Sequence, residues 1–412
     1  MSGDGLFTKF GVELEYMLVR EDSLDVAPIA DRILERIAGG ITNEVERGIM
    51  GWSNELALHV IEIKNSEPVP ALPMLAEKFQ HEVAALAQVA AEQGAILLPT
   101  AMHPWMNPHT ETLLWPHGSK EIYNTYNRIF NCQGHGWSNV QSTHLNLGFA
   151  TDAGFGRLHA AIRVLLPILP AIAASSPAVD GVLTGWLDTR LHYYRNNQQR
   201  IPSITGQVIP EPVFSEAEYE REIYQRLRRD IAPHDPDGVL EAEWLNSRGA
   251  IARFDRNAIE IRVLDIQECP LADVSLAVLI CAVLEGLTAG RWSASVELKA
   301  AETVGLAEIF SDTVREGEQA VIDNCRYLAL FDRGGSAAMT AGELWQELAT
   351  DCAPVLAEAG YGIQQSVETM LAHGPLSRRI IRALGANPNR ERLREVYREL
   401  GFCLAQGRLF LQ

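Results

Sequence analysis

The stretch of residues 258–271 opens with apolar and charged side chains in alternation, a pattern that predicts a β-strand at 258–265. Ile259, Ile261 and Val263 fall on one face, while Glu260 and Arg262 fall side by side on the other, because successive side chains of a strand point to opposite faces. An acid beside an arginine is by itself compatible with a surface ion pair worth under about 1 kcal/mol. Three other predicted strands also carry polar groups on one face, so together they indicate a functional site.

Those three strands are predicted at residues 8–19, 56–64 and 140–149. Glu13 and Glu15 share a face of the first by parity. His144 and Asn146 share a face of the third, with leucines pointing to the core between them. Each strand thus offers oxygen or nitrogen ligands on the face away from the apolar core.

The middle strand contributes one acid directly and a second indirectly. Glu62 lies in the apolar run V-I-E-I, where an unpaired charge would be costly. Glu55 precedes it by seven residues, and this odd spacing places the two side chains on opposite faces of an ideal strand. Glu55 therefore reaches Glu62 only from a turn or bulge, and the preceding W-S-N predicts such a turn.

The remaining pattern predicts a helix-rich chain around this sheet. A short strand is expected at 95–99, and a strand at 249–254 pairs with the one at 258–265. Helices are expected near 26–38, 73–93, 119–131, 156–174, 216–230 and 272–289, and throughout the chain after about residue 292. Prolines are expected to kink the helix at 156–174, and Ser215 with Glu218 and Thr340 with Glu343 predict capping boxes.

The order of elements does not alternate strand and helix, which favours an α+β fold with a mainly antiparallel sheet. Residues 1–291 form the predicted sheet core, and 292–412 form a helical region packed on it as part of one structural unit. Residues 178–214 are expected to be irregular. Their basic stretch 190–200 is either a lid over the site or a solvated surface loop.

Composition narrows the class of protein. The chain of 412 residues has 35 basic against 53 acidic residues, a net charge of −18, which argues against nucleic-acid or anionic-membrane partners. No basic segment followed by an apolar run opens the chain, and charges or prolines interrupt the apolar stretches 160–174 and 271–289, so neither a signal peptide nor a membrane span is expected. The six cysteines are widely spaced, which is typical of reduced thiols in a cytoplasmic protein.

Several acids and one imidazole on a sheet suit hard divalent cations, which prefer oxygen-rich sites with room for phosphate oxygens. The alternative is a set of solvated strand faces with a satisfied core histidine. Other site templates fail: the sequence has no phosphate-binding G-x-x-x-x-G-K-[ST], and G-F-G-R-L-H at 154–159 is a poor dinucleotide fingerprint. A bound ATP would therefore be held on the sheet by metals and arginines.

Five stretches, taken in order, resemble the glutamate–cysteine ligase family, in its second bacterial type. They are F-G-V-E-L-E-Y at 10–16, S-N-E-L-A-L-H-V-I-E-I at 53–63, T-H-L-N-L-G-F at 143–149, A-A-S-S-P at 173–177 with D-T-R-L-H at 188–192, and A-R-F-D-R-N-A-I-E-I-R-V-L-D at 252–265. The resemblance implies a fold of glutamine-synthetase type, in which a curved antiparallel sheet forms a funnel for ATP, Mg²⁺ and an acid substrate.

The resemblance also implies roles for individual residues. The implied metal ligands are Glu13, Glu15, Glu55, Glu62, His144 and Glu260; the implied nucleotide contacts are His144, Asn146 and Arg262; and the implied catalytic arginines are Arg262, Arg253 and Arg190. Two or three Mg²⁺ ions are expected, with Mn²⁺ as a substitute. The chain departs from the family pattern at L-L-P-T-A-M-H-P-W (97–105) and in the loop 191–212.

The expected reaction is ATP-dependent formation of an amide through an acyl phosphate, most simply between the γ-carboxylate of glutamate and cysteine or a related amine, as in glutathione biosynthesis. Two alternatives stay open: a phosphotransferase that stops after phosphoryl transfer, as guanidino kinases do, and a non-catalytic nucleotide- or metal-binding relative. Small molecules are the expected partners, and a homodimer is one candidate assembly.

Overall fold

Eight strands pair into one sheet at the centre of the computed structural model, which describes residues 4–411. The strands of the chain are β1 (Phe10–Arg20), β2 (Glu44–Arg47), β3 (Met50–Asn54), β4 (Val60–Asn65), β5 (Ala95–Leu98), β6 (Ser142–Gly148), β7 (Ala178–Val179), β8 (Val182–Leu183), β9 (Ala250–Arg253), β10 (Ala258–Asp265), β11 (Val321–Ile322) and β12 (Met339–Thr340). The order across the large sheet is β2-β3-β4-β1-β6-β10-β9, with β5 also paired to β1.

Every pairing in this sheet is antiparallel. The helices before β9 are α1 (Ala30–Ala38), α2 (Leu75–Ala91), α3 (Pro108–Glu111), α4 (Lys120–Phe130), α5 (His135–Ser138), α6 (Asp152–Leu165), α7 (Pro170–Ala173), α8 (Thr189–Tyr194), α9 (Glu216–Tyr219), α10 (Gln225–Ile231) and α11 (Ala242–Leu245). Those after β10 are α12 (Pro270–Thr288), α13 (Ser295–Lys299), α14 (Thr303–Glu316), α15 (Cys325–Ala329), α16 (Ala341–Asp351), α17 (Ala353–Glu358), α18 (Tyr361–His373), α19 (Leu376–Leu384) and α20 (Arg390–Gln406).

The predicted fold class is therefore confirmed: an antiparallel sheet with flanking helices and a helical C-terminal part. Apolar side chains from the strands and from α12 to α18 form the main core, whereas most apolar side chains of α19 and α20 pack with Met17, Val19 and Leu98 in a second cluster. The division at residues 291 and 292 stays a prediction. Residues 1–3 and 412 lie outside the described part, so the expected absence of a signal peptide concerns residues that are only partly described.

Strand parity directs the polar side chains to one face of the sheet. Val12, Leu14 and Tyr16 of β1 are fully buried in the core. On the opposite face Glu13 pairs with Lys64 of β4 and with His144 of β6, and directly opposed residues of antiparallel strands point to the same face. The register of the sheet thus collects charged side chains that lie far apart in the sequence.

The hairpin of β2 and β3 was not predicted from the sequence. The expected strand at 56–64 begins only at Val60, and W-S-N belongs to β3 rather than to a turn. Trp52 is fully buried and Ser53 pairs with Glu62, so burial of the indole and the strand pairing together outweigh the turn preference of Ser and Asn. The turn comes after W-S-N, at Glu55.

The helix predicted at 156–174 breaks where its prolines lie, as expected. α6 ends at Leu165, a 3-10 turn covers Leu166–Ile168, and α7 begins at Pro170. Between Ser215 and residue 231 the chain is helical, with a π-helical turn at Glu220–Tyr224.

Both predicted N-terminal caps form, and one differs in detail. Thr340 and Glu343 make the reciprocal capping box. Ser215 accepts from the Glu218 N–H, but the Glu218 carboxylate accepts from the N–H of Phe214 instead of Ser215.

α12 is the central helix of the core. By length and composition alone it could span a membrane. In the structure, however, 83 % of its most apolar 18-residue segment is buried inside the protein. Asp273 in its first turn accepts from the Thr143 hydroxyl of β6 at 2.5 Å and from the Gln267 N–H at 3.0 Å. This contact fixes the helix against the strand that carries His144.

The extension of β10 is tied to the last described residues of the chain. Glu268 forms a fully buried ion pair with Arg379 of α19. The Arg379 guanidinium also donates to the Phe410 carbonyl at 3.0 Å, and the Phe410 N–H donates to Glu268 at 3.2 Å. We call these three residues the terminal clamp.

Candidate active site

A cavity of about 1170 Å³ lies over the polar face of the sheet. The strands that line it run from β2 at one edge to β9 at the other. All ten predicted site residues line this cavity: Glu13, Glu15, Glu55, Glu62, His144, Asn146, Arg190, Arg253, Glu260 and Arg262. The structure therefore brings the whole predicted set together, whereas the roles assigned to its members stay predictions.

Two groups of potential metal ligands meet at Glu62. One consists of Glu13, Glu62 and His144 and the other of Glu15, Glu55 and Glu62, and within each group the ligand atoms lie within 4.8 Å of one another. Glu55 joins the second group from the turn that follows β3, so its odd spacing from Glu62 does not separate them. Carboxylates with one imidazole are a donor set that Mg²⁺ and Mn²⁺ accept.

Crowding of these acids leaves negative charge uncompensated. Burial, followed by the charge of Glu13, raises the pKa of Glu62 to about 7, although Lys64 and the Ser53 hydroxyl oppose the shift. Burial and the charges of Glu15 and Glu62 raise the pKa of Glu55 well above its ordinary value. A cation bound between these carboxylates would relieve that repulsion, so the residues present fit a divalent metal.

His144 is held between acids on both sides. Its Nδ1 lies 2.9 Å from a Glu13 oxygen, and its Nε2 lies 3.0 Å from the Ser142 hydroxyl. Burial lowers the pKa of His144, but the hydrogen bond to Glu13 and the charges of Glu15 and Glu260 outweigh it and raise the pKa to about 9. Without a metal the imidazole is therefore a cation. It must release a proton before it can bind a metal ion.

The same hydrogen bond stabilises the ionised form of Glu13. Burial raises the pKa of Glu13, but the hydrogen bond and charge of His144, together with Lys64 and Arg262, hold it at about 2. Ser142 completes this row, since its N–H and hydroxyl both donate to Glu15, at 2.7 Å and 3.0 Å.

Glu260 and Arg262 form a contact inside the cavity rather than on an open surface. The Glu260 side chain is 6 % exposed, and its Oε1 accepts from Arg262 Nη2 at 2.8 Å and Nε at 3.0 Å. Arg253 approaches its other oxygen at 3.8 Å. Burial lowers the pKa of Arg262, but the charge of Glu260 outweighs it and the net direction is upward, so the guanidinium is permanently charged.

An ion pair with a buried carboxylate fixes the Arg190 side chain. Its side chain is buried and pairs with Asp265 at the end of β10. Asp265 in turn accepts from the Ser175 N–H at 2.7 Å and from the Ser176 hydroxyl at 2.8 Å. The motif A-A-S-S-P therefore supports the carboxylate that positions an arginine of the cavity wall.

The candidate lid at 190–200 is only partly a loop. Its first half belongs to α8, which Asp188 caps by accepting from the Leu191 N–H at 2.8 Å. Further on, Arg195 donates to Ser311, and Gln198 is buried and lines the cavity. The expectation that 178–214 is irregular is thus wrong for the α8 segment, because buried Leu191 and the cap favour a helix.

The sequence interpretation missed several cavity residues. Lys64 lies 3.3 Å from Glu62 and 3.4 Å from Glu44. Lys64 follows Glu62 by two residues, and Ser142 precedes His144 by two. Residues two apart on a strand share a face, so strand parity would have found both. The aromatic wall comes from helices and loops without such a signal: Tyr123, Tyr126, Trp137, Tyr194 and Trp244.

The histidine of H-P-W lies outside the cavity. His103 is fully buried, its Nε2 lies 2.7 Å from the Leu24 carbonyl, and its Nδ1 accepts from the Trp105 N–H at 3.3 Å. These contacts fix its ring in the structural core around Trp105. The segment in which the chain departs from the family pattern, residues 97–105, therefore does not line the cavity.

Comparison with known sequences identifies the family. A sequence model described as glutamate-cysteine ligase family 2 matches residues 9–399. An uncharacterised protein of Archaeoglobus fulgidus is 40 % identical over 277 residues, which are 66 % of this chain and 73 % of that protein. A Salinispora tropica protein named "Putative glutamate--cysteine ligase 2" is 27 % identical over 283 residues, 68 % of this chain and just under two thirds, 65 %, of that relative.

Solved structures agree on the fold. A glutamate–cysteine ligase from Francisella tularensis, in complex with AMP, superposes with a TM-score of 0.61 at 12 % identity and covers 96 % of this chain and 89 % of its own. A bifunctional glutathione synthetase from Pasteurella multocida gives a TM-score of 0.55 at 14 % identity, over 96 % of this chain and 52 % of its own. At these identities the likeness establishes the architecture alone.

The family match extends over the sheet, the cavity and nearly all the C-terminal helices. It confirms the resemblance drawn from the five sequence stretches and the expectation of an ATP-dependent ligase of the carboxylate–amine type. The chain belongs to glutamate-cysteine ligase family 2.

Proposed function

We propose that the protein joins the γ-carboxylate of glutamate, or of a similar acid, to cysteine or a related amine, with ATP consumed through an acyl-phosphate intermediate. The observation that supports this proposal is the pair of ligand groups sharing Glu62 in one cavity with Arg262. Acids that hold metal, next to a fixed guanidinium, are what phosphoryl transfer to a carboxylate requires. The nucleotide in the Francisella structure supports ATP as the phosphoryl donor.

Two divalent ions fit the two ligand groups. Glu13, Glu62 and His144 would hold one, and Glu15, Glu55 and Glu62 would hold the other. Bound Mg²⁺ would supply positive charge that offsets the repulsion between the nucleotide phosphates and the substrate carboxylate.

In the first step a carboxylate oxygen of the acid bonds to the γ-phosphorus of ATP, and the bond to the bridging oxygen of ADP breaks. Arg262, held by Glu260 and pointing into the cavity, stabilises the charge on the transferred phosphoryl oxygens. Arg253 lies beside the same carboxylate, and Arg190 presents a guanidinium that Asp265 keeps from moving. These arginines are positioned before the substrate arrives.

In the second step the amine nitrogen bonds to the acyl carbon, phosphate leaves with its electron pair, and the nitrogen loses a proton. Water must be kept from the acyl phosphate until the amine attacks. The aromatic wall of the cavity, with Tyr126 and Trp137 in contact at 5.6 Å between ring centroids, is suited to that exclusion.

A coupled ADP-release assay tests the proposal. ADP and phosphate should form only when ATP, Mg²⁺, glutamate and an amine are all present, and mass spectrometry should detect the amide. Glu260→Gln is the control that should be inactive. Release of ADP with glutamate alone and accumulation of a phosphorylated product would favour a phosphotransferase, whereas no turnover with any acid and amine would contradict both.

A further inference from the structure

A second cavity of about 470 Å³ lies on the helical side of the protein. Its walls are α7, α12, α16, α18, α19 and the 3-10 turn Gly317–Gln319. Among the residues that the structure describes, it shares no lining side chain with the active-site cavity. Its volume falls within the range of small-molecule sites.

The floor of this cavity is apolar. Ile172 of α7, Leu276 and Leu279 of α12, and Val367 and Met370 of α18 all line it and are otherwise buried in the core. These side chains present methyl and thioether groups to the cavity, so the floor suits an aliphatic or aromatic group.

The rim carries charges of both signs. Glu318 accepts from Arg378 Nε at 2.7 Å through Oε1, whereas its Oε2 is buried without a hydrogen-bond partner among residues 4–411. Arg382 is exposed at the same rim and uses one guanidinium nitrogen to bind the His373 carbonyl. Glu343 also lines the cavity, and its Oε2 caps α16 by accepting from the N–H and the hydroxyl of Thr340.

An apolar floor and a rim with charges of both signs favour a zwitterionic ligand with an apolar side chain. An ammonium group would satisfy the unpaired oxygen of Glu318, a carboxylate would be attracted to Arg382 and Arg378, and an apolar side chain would cover the floor. A fatty acid would bring its carboxylate towards Glu318 without a donor, and a simple amine would leave Arg382 without an anion, since Arg378 is already paired with Glu318. A free α-amino acid carries all three parts.

The walls of the cavity continue into the segment that positions Arg190. α7 leads directly to Ser175 and Ser176, which hold Asp265. In the first turn of α19, the N–H of Ser377 donates to the Ala174 carbonyl at 2.8 Å and its hydroxyl donates to the Leu187 carbonyl. A ligand that displaces α7 or α19 would therefore also displace residues 174–190.

We propose that this second cavity binds a free α-amino acid with an apolar side chain, and that its occupancy changes the kinetic constants of the ligase through residues 174–190. The binding part is independent of the proposed reaction, and only the kinetic part rests on it. Coupling between ligands requires two distinct sites. Here residues 174–190 connect the second cavity to Arg190 in the active-site cavity.

Calorimetric titration with L-leucine tests the binding part, with 4-methylpentanoate and 3-methylbutylamine as probes that lack one charged group. Leucine should bind the wild-type chain, and each probe should bind at least about tenfold more weakly because one charged partner is left unpaired. Glu318→Gln and Arg382→Gln should weaken leucine binding by a similar factor. Glu316→Gln, an exposed acid outside the cavity, is the matched control and should bind leucine normally.

Leucine is itself an amine, so the test must separate this cavity from the active site. Glu62→Gln, in the active-site cavity, should bind leucine as the wild type does; loss of binding there, with normal binding to Glu318→Gln, would overturn the proposal. No binding of leucine to the wild-type chain would also overturn it. Thermal unfolding of the variants shows that they fold, and exposed Arg382 gives a second variant if Glu318→Gln does not.

Kinetics test the second part. Leucine should shift the KM or kcat of ADP release in the wild type and have no effect on Glu318→Gln, whose basal rate should be normal. Binding of leucine without any kinetic effect would refute the coupling. If ADP release is absent from every protein, the proposed function fails while the binding result still stands on its own.

Discussion

Replacing Arg262 by lysine separates two roles for the residue that the site is built around. Lysine keeps the positive charge opposite Glu260 but replaces a planar guanidinium, which has several donors in a fixed arrangement, by a single ammonium group. If Arg262 stabilises a transferred phosphoryl group, the geometry of its donors matters. If it only balances Glu260, charge alone is sufficient.

The structure sets the expected magnitudes. Arg262 gives two nitrogens to one Glu260 oxygen, at 2.8 Å and 3.0 Å, and the Glu260 side chain is nearly inaccessible. Loss of one charge-assisted hydrogen bond lowers the free energy of unfolding by roughly 1.5–3 kcal/mol, out of the roughly 5–15 kcal/mol of a typical domain. Loss of a preorganised charge stabiliser lowers turnover by about 10² or more.

The assay is steady-state ADP release at saturating ATP, glutamate and amine, together with urea unfolding of the same preparations. Arg229→Lys is the matched control, because that side chain is 73 % exposed and its contact with Asp230 is a surface pair. Turnover of Arg262→Lys within about threefold of the wild type would refute the phosphoryl-contact role and return the residue to a charge-balancing one.

Three further outcomes are expected. Glu15→Gln, which removes a charged ligand at constant volume, should abolish ADP release without unfolding the protein, and a near-normal rate at saturating Mg²⁺ would contradict its assignment. Ser142→Ala should weaken Mn²⁺ binding, measured by calorimetry, by roughly 10–100-fold because Glu15 and His144 lose the hydroxyl that orients them; Ser142→Thr should restore it, and an unchanged Kd would argue against orientation. Burial lowers the pKa of His103 from 6.5 to about 4, so the unfolded state binds the extra proton and stability falls from about pH 6.5 towards pH 4, by on the order of 3 kcal/mol. The difference in free energy of unfolding between wild type and His103→Gln, measured in urea, should narrow over that range, and a constant difference would show that the fold does not lower the pKa of His103.

Strand parity was the main basis for predicting which side chains share the cavity. The alternation around Glu13 and Glu15, and around Glu260 and Arg262, defined which side chains share a face, and the sheet places them in one cavity. Pairing between strands then follows from burying the apolar faces together. The antiparallel class followed from the same reasoning, because successive strands were not separated by regular crossover helices.

What the sequence did not reveal depends on contacts between distant segments. β2 and β3 are short, and packing of Trp52 in the core together with pairing to β4 makes M-G-W-S-N extended. The register shift between Ile261 and Leu264 interrupts the alternation of β10, and it precedes the Asp265 that binds Arg190. No local pattern predicts that pair, since its partners are separated by 75 residues.

The terminal clamp makes the stability of the fold depend on the backbone of Phe410. Phe410 supplies both a carbonyl to Arg379 and an N–H to Glu268, whereas the next residue, Leu411, is 51 % exposed. Truncation after Leu409 would take one hydrogen-bond partner from each member of a buried ion pair and loosen the segment that follows β10. The truncated protein should therefore melt at a lower temperature than the wild type.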